Sequence, residues 1–437
     1  MLEIQGKYCK DIKVFTDNIE DSAVATLYKL ANRIAFKDKK VRIMPDCHQG
    51  IDESVIGFTS TFDNCVSPHN IGCDIGCGMT TVLFDRPLEE KKFPQFERKV
   101  RKANPFGKEI QAKSVFEVKD LLKFMNTEFQ KAYQSAGDLI HFIEWKDEDD
   151  IKNWCKSIGV EPVVYYKSLA TIGGGNHFIE YGENEEVKKY GVTIHTGSRN
   201  IGMKVYKKYA RKAKGECIDL VKIKDETRKA VAEFNGDRTQ IPALIEEIRK
   251  NNTTETTNGY LMGDDLKDYL TDMVIAQAYA KYNRKLIIDR IVDIIQGINK
   301  AKVVEVIESV HNYLSFKDLI IRKGAISAYE GEKMIIPFNM RDGLAICEGK
   351  SNEDWNYSAP HGAGRAMSRS KSKQNIKLDT FKEQMEGIYS TSVCEGTIDE
   401  APDAYKPYQE IIDLISDTCE ILYILKPKVN LKATDGE

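Results

Sequence analysis

The residues best suited to chemistry are scattered from Asp74 to His361, yet they arrive in short, glycine-punctuated blocks. Four of the seven histidines, together with Asp74 and Cys77, lie in Gly- or Asn-flanked stretches. The blocks are Gly72-Cys73-Asp74-Ile75-Gly76-Cys77-Gly78, Gly173-Gly174-Gly175-Asn176-His177-Phe178, Ile194-His195-Thr196-Gly197-Ser198-Arg199, Val310-His311-Asn312 and Pro360-His361-Gly362-Ala363-Gly364-Arg365. If they form one composite site, the chain must return to the same place from most of its length. That favours one large interwoven domain, residues 1–437, over two separable ones, although length alone would allow two or three.

Hydrophobic periodicity predicts a mixed α/β (α+β) chain. Residues 18–35 read as an amphipathic helix. Val41–Met44 and Met79–Phe84 read as strands with loop between them, and 86–155 as charged and mostly helical. Ser168–Ile172 runs into the triple glycine, and Val192–Ile194 is a short strand ending at His195. A mostly helical insertion is expected over about 203–298, where Leu266, Tyr269, Leu270, Met273 and Val274 recur at helical spacing, with a polar loop at 251–259. Strands return at Val303–Ile307, Leu319–Arg322 and Met334–Pro337. A last helix is expected over 404–422, before Val429–Lys432. The implied architecture is central β-sheets around a metal site.

At 437 residues and 41% hydrophobic, the chain can bury a large core. A formal charge of −3 disfavours a globally basic nucleic-acid binder but leaves room for a local basic groove. Met1-Leu2-Glu3-Ile4-Gln5 has neither a basic nor an apolar leader region, and no apolar run reaches the roughly 18 residues of a membrane span. Ten cysteines without a leader read as reduced thiols, so a cytoplasmic location is expected.

A thiolate suits borderline metals and a carboxylate hard ones. Three-residue spacing on a glycine-rich loop lets Asp74 and Cys77 face one ion, and a thiolate can bridge two. The same pattern also suits a buried structural cysteine in a tight turn. His177, His195 and His311 each stand at a strand end, where a hydrogen-bonded structural histidine is as good a reading for any one alone. Together with Asp74 and Cys77 they supply donors for two adjacent metal positions. His361 differs, because Gly362, Ala363 and Gly364 let backbone N–H groups approach phosphate oxygens. Arg365 and Arg369 could clamp those oxygens, and imidazole can attack phosphorus. His48 is better read as a supporting residue than as a ligand. His69 and His141 read as structural or surface residues, and Cys9, Cys65, Cys155, Cys217, Cys347, Cys394 and Cys419 as structural.

In this order the blocks resemble the RtcB family of RNA-splicing ligases, with further matches at Met44-Pro45-Asp46-Cys47-His48, Arg322-Lys323-Gly324-Ala325 and His361 through Arg369. The resemblance covers nearly the whole chain. It implies GTP- and manganese-dependent joining of an RNA 3′-phosphate or 2′,3′-cyclic phosphate to a 5′-hydroxyl, in tRNA splicing or RNA repair. It implies that Asp74, Cys77 and His177 hold one Mn(II), that Cys77, His195 and His311 hold a second, and that His361 becomes guanylated. It further implies nucleotide contacts from Asn176, Phe178, Glu180, Asn312, Asn339, Gly362, Ala363, Gly364, Tyr405 and Lys432. Arg199, Lys323, Arg365 and Arg369 become candidates for phosphate or RNA contact, and Asp46 for orienting His361. An RNA substrate, an archease-like activator, no membrane and a monomer complete the expectation.

The chain departs from the family at Pro337-Phe338-Asn339-Met340-Arg341-Asp342-Gly343, where a Gly-Ser-Met-Gly block is common. This leaves guanine preference open and is compatible with a divergent paralogue devoted to RNA repair. Two rivals remain: a metal-dependent phosphoesterase acting on RNA ends without ligation, and a non-catalytic RNA-binding relative.

Overall fold

The computed structural model describes residues 1–50, 54–214, 220–234, 236–251 and 259–434. Most of the polar loop expected at 251–259 lies outside them.

The strands, in chain order, are β1 (Leu2–Ile4), β2 (Asp11–Val14), β3 (Lys40–Gln49), β4 (Val55–Thr61), β5 (Gly78–Phe84), β6 (Phe178–Asn184), β7 (Lys189–Thr196), β8 (Val303–Val310), β9 (Tyr313–Ser315), β10 (Ile320–Lys323), β11 (Ala325–Ser327), β12 (Lys333–Asn339), β13 (Gly343–Gly349), β14 (Ser358–Pro360) and β15 (Cys419–Leu431). Among the described residues they form a six-stranded sheet ordered β1-β2-β3-β4-β10-β9, a pair β11-β14, and a seven-stranded sheet ordered β12-β13-β15-β6-β7-β5-β8. The last sheet draws on chain segments from residue 78 to residue 431, and each of its strand pairings is antiparallel.

The helices are α1 (Asp21–Ala31), α2 (Phe93–Ala103), α3 (Val118–Ala136), α4 (Glu148–Ser157), α5 (Pro162–Lys167), α6 (Arg199–Ala213), α7 (Leu220–Glu233), α8 (Ile241–Asn251), α9 (Gly263–Asn299), α10 (Arg369–Asn375), α11 (Leu378–Gln384) and α12 (Tyr408–Leu414).

One expectation needs correction. The helix expected over 404–422 is only α12, and Cys419 already begins β15. Short apolar runs such as Ile421-Leu422-Tyr423-Ile424-Leu425 fit either period, and pairing with β13 decides for strand. The stretch expected to be mostly helical at about 203–298 carries most of α6, then α7, α8 and most of α9. The segment Tyr269–Ala276 of α9 is buried on all sides, as befits a helix at the centre of a core.

The seven-stranded sheet curls until its end strands meet: Ile335 N on β12 donates to Ser309 Oγ on β8 at 2.8 Å. Strand alternation then sorts side chains by face. Outward, Val82, Ile179, Ile194, Val429 and Leu431 pack under Phe96 and Val100 of α2 and Ile287, Ile291 and Ile295 of α9. Each such side chain contributes roughly 1.5–3 kcal/mol by burial. Inward, Met79, Leu83, Phe178, Ile307, Ile335 and Leu425 line the curl.

Candidate active site

The metal-ligand candidates converge because four adjacent strands start or stop at one end of the curled sheet. Gly78 opens β5 and pairs with Thr196 at the close of β7 and with Val310 at the close of β8. Phe178 opens β6 opposite His195. Cys77, His177, His195 and His311 therefore occupy neighbouring positions, although they are far apart in sequence.

Cys77 Sγ lies 3.3 Å from His195 Nε2 and 3.5 Å from His177 Nε2. His177 Nε2 lies 3.0 Å from Asp74 Oδ2. The donor atoms of Asp74, Cys77 and His177 fall within 4.8 Å of one another, as do those of Cys77, His195 and His311. Cys77 belongs to both groups, as a bridging thiolate would.

The surroundings fit a cation. His195 Nδ1 faces the Asn176 carbonyl at 3.1 Å, so an N–H there donates to it and leaves the Nε2 lone pair towards Cys77. Burial holds His195 and His311 well below the ordinary histidine range, in the neutral form that ligates. Burial and the Asp74 carboxylate push the Cys77 thiol far up, so a cation is what would keep it as thiolate. Burial raises the Asp74 carboxyl, but the His177 hydrogen bond and charge outweigh it and hold the group below the usual range. His177 Nδ1 and His311 Nδ1 are buried without a hydrogen-bond partner.

Several residues hold these ligands. Ser198 donates to Asp74 Oδ1 through N (3.0 Å) and Oγ (3.2 Å). A Cβ on Gly197 would sit 2.2 Å from that same oxygen, so the position admits only glycine. Asn312 donates to the Asp74 carbonyl at 3.0 Å and accepts from Gly324 N at 2.9 Å. From α9, Arg284 donates to the Gly76 carbonyl (2.9 Å) and the Thr196 carbonyl (3.2 Å), and pairs with Glu308. Its neighbour Asn283 donates to the Thr171 and Gly197 carbonyls. Sequence reading missed both. They sit inside a regular helical pattern that gives no hint of what they face.

His361 follows β14, whose partner β11 brings Gly324 against the imidazole. Its ring centroid lies 4.8 Å from that of His311. In β3 the register shifts between Ile43 and His48. In that irregular stretch Asp46 Oδ2 lies 2.6 Å from His361 Nδ1 and 3.2 Å from His361 N. His48 lines the same cavity with Nδ1 on the Asp46 carbonyl at 3.1 Å, and burial pushes it down to about 4. It belongs to neither ligand group.

A cavity of about 300 Å³ opens from the metal-ligand end. His361, Asp74, Cys77, His195, His311, Asn176, Phe178, Glu180, Asn312, Asn339, Gly362, Ala363, Gly364, Arg365, Arg369, Tyr405 and Lys432 all line it. Arg199 and Lys323 are not among its lining residues. Arg199 bonds Thr171 Oγ1 and the Gly107 carbonyl, and Lys323 is buried on Ser54 and the His69 carbonyl. Asn339 reaches the rim, but its amide closes the turn to Arg341 and Asp342.

Arg365 and Arg369 are not open phosphate clamps in this arrangement. Arg369 NH1 contacts Asp399 Oδ2 and Glu400 Oε1, both at 2.6 Å, and Arg365 NH1 reaches Glu400 at 3.4 Å. Glu400 also accepts from Tyr405 OH (2.6 Å) and Lys432 Nζ (2.9 Å). Burial raises its carboxyl, but Lys432, Arg369 and Arg365 outweigh that and hold it below the usual range. This 2%-exposed carboxylate gathers four cavity residues, and sequence reading did not single it out. It lies beside Asp399 in Ile398-Asp399-Glu400, where acids look like ordinary turn residues.

A family model described as tRNA-splicing ligase RtcB matches residues 27–433. The chain is 27% identical over 445 residues to the RNA-splicing ligase RtcB of Escherichia coli K12, covering 96% of this chain and 97% of that protein. It is 27% identical to the tRNA-splicing ligase RtcB of Aeropyrum pernix, over 84% of this chain and 82% of that one. For the tRNA-splicing ligase RtcB of Thermococcus kodakarensis the identity is 24%, over 86% and 83%.

Proposed function

The chain belongs to the RtcB family, and from that membership we propose that it is an RNA ligase joining a 3′-phosphate or 2′,3′-cyclic phosphate end to a 5′-hydroxyl end with GTP as cosubstrate. The observation that carries this reading is the Asp46–His361 pair facing the Cys77-centred ligand cluster across one cavity. An imidazole held by a carboxylate beside metal ligands is what attack of a histidine on phosphorus requires.

Asp74, Cys77 and His177 would hold one Mn(II), and Cys77, His195 and His311 the other. Such ions would neutralise charge on phosphate oxygens. The protein's own groups do the rest. With its Nδ1–H donated to Asp46, His361 keeps the Nε2 lone pair free. That lone pair attacks the α-phosphorus of GTP; a P–N bond forms and pyrophosphate leaves with the electrons of the broken P–O bond. An oxygen of the RNA 3′-phosphate then attacks the same phosphorus, and the P–N bond breaks to regenerate His361. Finally the 5′-hydroxyl attacks the activated 3′-phosphorus, loses its proton, and displaces GMP. A cyclic phosphate is first opened by water.

The contacts from Asn176, Phe178, Glu180, Asn312, Tyr405 and Lys432 belong to the nucleotide in this reading. The whole chain acts as one catalytic unit, as a monomer in the cytoplasm, served by an archease-like activator. No helix among the described residues is long and apolar enough to cross a membrane.

The test is intact-protein mass spectrometry after incubation with GTP and Mn(II), wild type beside His361→Ala. A GMP adduct on the wild type alone, labile in acid, is expected. An unlabelled wild type with metal bound would move the phosphoesterase reading ahead. Faster ligation of cleaved non-intron RNA than of a tRNA exon pair would favour repair, and the reverse would favour splicing.

A further inference from the structure

Helix α6 starts where the chain leaves the metal-ligand cluster. Thr196 closes β7, Ser198 donates to Asp74 Oδ1 through N and Oγ, and Arg199 opens the helix. Asp74 is the one ligand candidate that is not buried, its side chain being 26% exposed. The most open ligand candidate thus sits at the start of α6, and from there the helix of 15 residues runs about 22 Å.

The stretch Arg199–Lys214 holds seven cations and no acid, in a chain whose formal charge is −3. The helix sorts them by face. Ile201, Val205, Tyr209 and Ala213 are buried at helical spacing. Lys208 and Lys212 lean on α9 and are neutralised there, Lys208 by Asp272 at 3.0 Å and Lys212 by Asp265. Lys204, Lys207, Arg211 and Lys214 stand on the remaining side, half-buried or exposed. Among the described residues none of these four has a carboxylate partner.

Their spacing is three, four and three residues. Positions three or four apart on a helix are neighbours at about 5–6 Å, so the four form one row of like charges. Such a row without acids costs a helix some stability unless a polyanion lies along it. Its step is comparable with that of successive phosphates along a nucleic-acid strand. A protein partner fits less well. Protein interfaces centre on apolar and aromatic side chains and are poor in lysine, and among the exposed or half-buried positions of α6 only Met203 is apolar.

We propose that the row Lys204–Lys207–Arg211–Lys214 is a docking ridge for the phosphate backbone of the RNA, holding the strand that leads away from the ligand cluster whatever its base sequence. This rests on the chain being an RNA ligase.

The test is the salt dependence of RNA binding. A labelled single-stranded RNA with a 3′-phosphate is titrated with the full-length protein by fluorescence anisotropy, from about 50 to about 200 mM salt. Each neutralised phosphate of a single strand adds about 0.7 to the slope of log affinity against log salt. The combined variant Lys204→Gln, Lys207→Gln, Arg211→Gln, Lys214→Gln should lower that slope by about 3 and weaken binding about tenfold or more at the low-salt end. Its thermal midpoint and its labelling by GTP without RNA should stay at wild-type values. Glutamine at four exposed cations on other parts of the chain, Lys10, Lys91, Lys119 and Lys350, should leave the slope near wild type.

An unchanged slope in the folded α6 variant would overturn the proposal. An equal fall in the second variant would do the same, because the effect would then be one of net charge. An α6 variant that keeps the RNA slope but loses affinity for poly-glutamate would reassign the row to an acidic protein. A wild type that binds no RNA would remove the ligase reading and this inference with it.

Discussion

Asp46 Oδ2 lies 2.6 Å from His361 Nδ1, with the Asp46 side chain fully buried and that of His361 17% exposed. The contact spans 315 residues and fixes which imidazole nitrogen stays free. In the proposed mechanism a carboxylate so placed would also stabilise positive charge on the ring as the P–N bond forms. Asp46→Asn keeps the volume but removes that charge. Formation of the nucleotidyl-histidine should slow by about 10²–10⁴-fold, while the thermal midpoint and the metal content stay close to wild type. Quench-flow labelling with radioactive GTP would read this. An unchanged rate would show that Asp46 only holds the loop.

Cys77 is the one side chain shared by both ligand groups. Its removal should therefore differ in kind from removal of a peripheral donor. Cys77→Ala is expected to lower the bound metal from about two ions per chain to less than one, whereas His195→Ala should retain about one and His48→Ala about two. Elemental analysis of gel-filtered protein decides. Two ions retained by Cys77→Ala would break the bridging model.

Burial pushes the Glu180 carboxyl from its ordinary 4.5 up to about 8, against the Asn430 bond and Lys432, which lower it. The folded chain thus keeps a proton that the unfolded chain releases between those two values. The linkage slope is negative in that window, so this group makes the protein less stable as pH rises from about 5 to about 8. Glu180→Gln carries no proton to lose. Without nucleotide, its thermal midpoint should overtake that of wild type by on the order of a few degrees at the alkaline end, with little difference near pH 5. Parallel curves for the two proteins across the window would contradict the raised value.

Much of the site was legible before folding. Asp74, Cys77, His177, His195 and His311 announced themselves because few residue types ligate metals and each sits where glycine or a strand end relaxes the backbone. The alternation in Val429-Asn430-Leu431-Lys432 already implied that Asn430 and Lys432 share a face, a signal that could have placed Asn430 in the cavity. The same local logic misjudged Cys419–Leu422, part of a short apolar run that fits two periods, and could not see that Arg199 and Lys323 are held by backbone carbonyls away from the cavity.

The sequence by itself determined which atoms can do chemistry: a thiol, a carboxylate, the imidazoles, and the glycines that let Asp74 approach Gly197 and the Asp46 carbonyl approach Gly364. Tertiary structure alone decided their partners. Arg284 with Gly76 and Thr196, Glu400 with Lys432 and Arg369, and Glu180 with Asn430 are pairs separated by tens to hundreds of residues. Residue type and local spacing set what a side chain can donate or accept, but sheet register and the closure of the curl set whom it meets, and local sequence carries no record of that meeting.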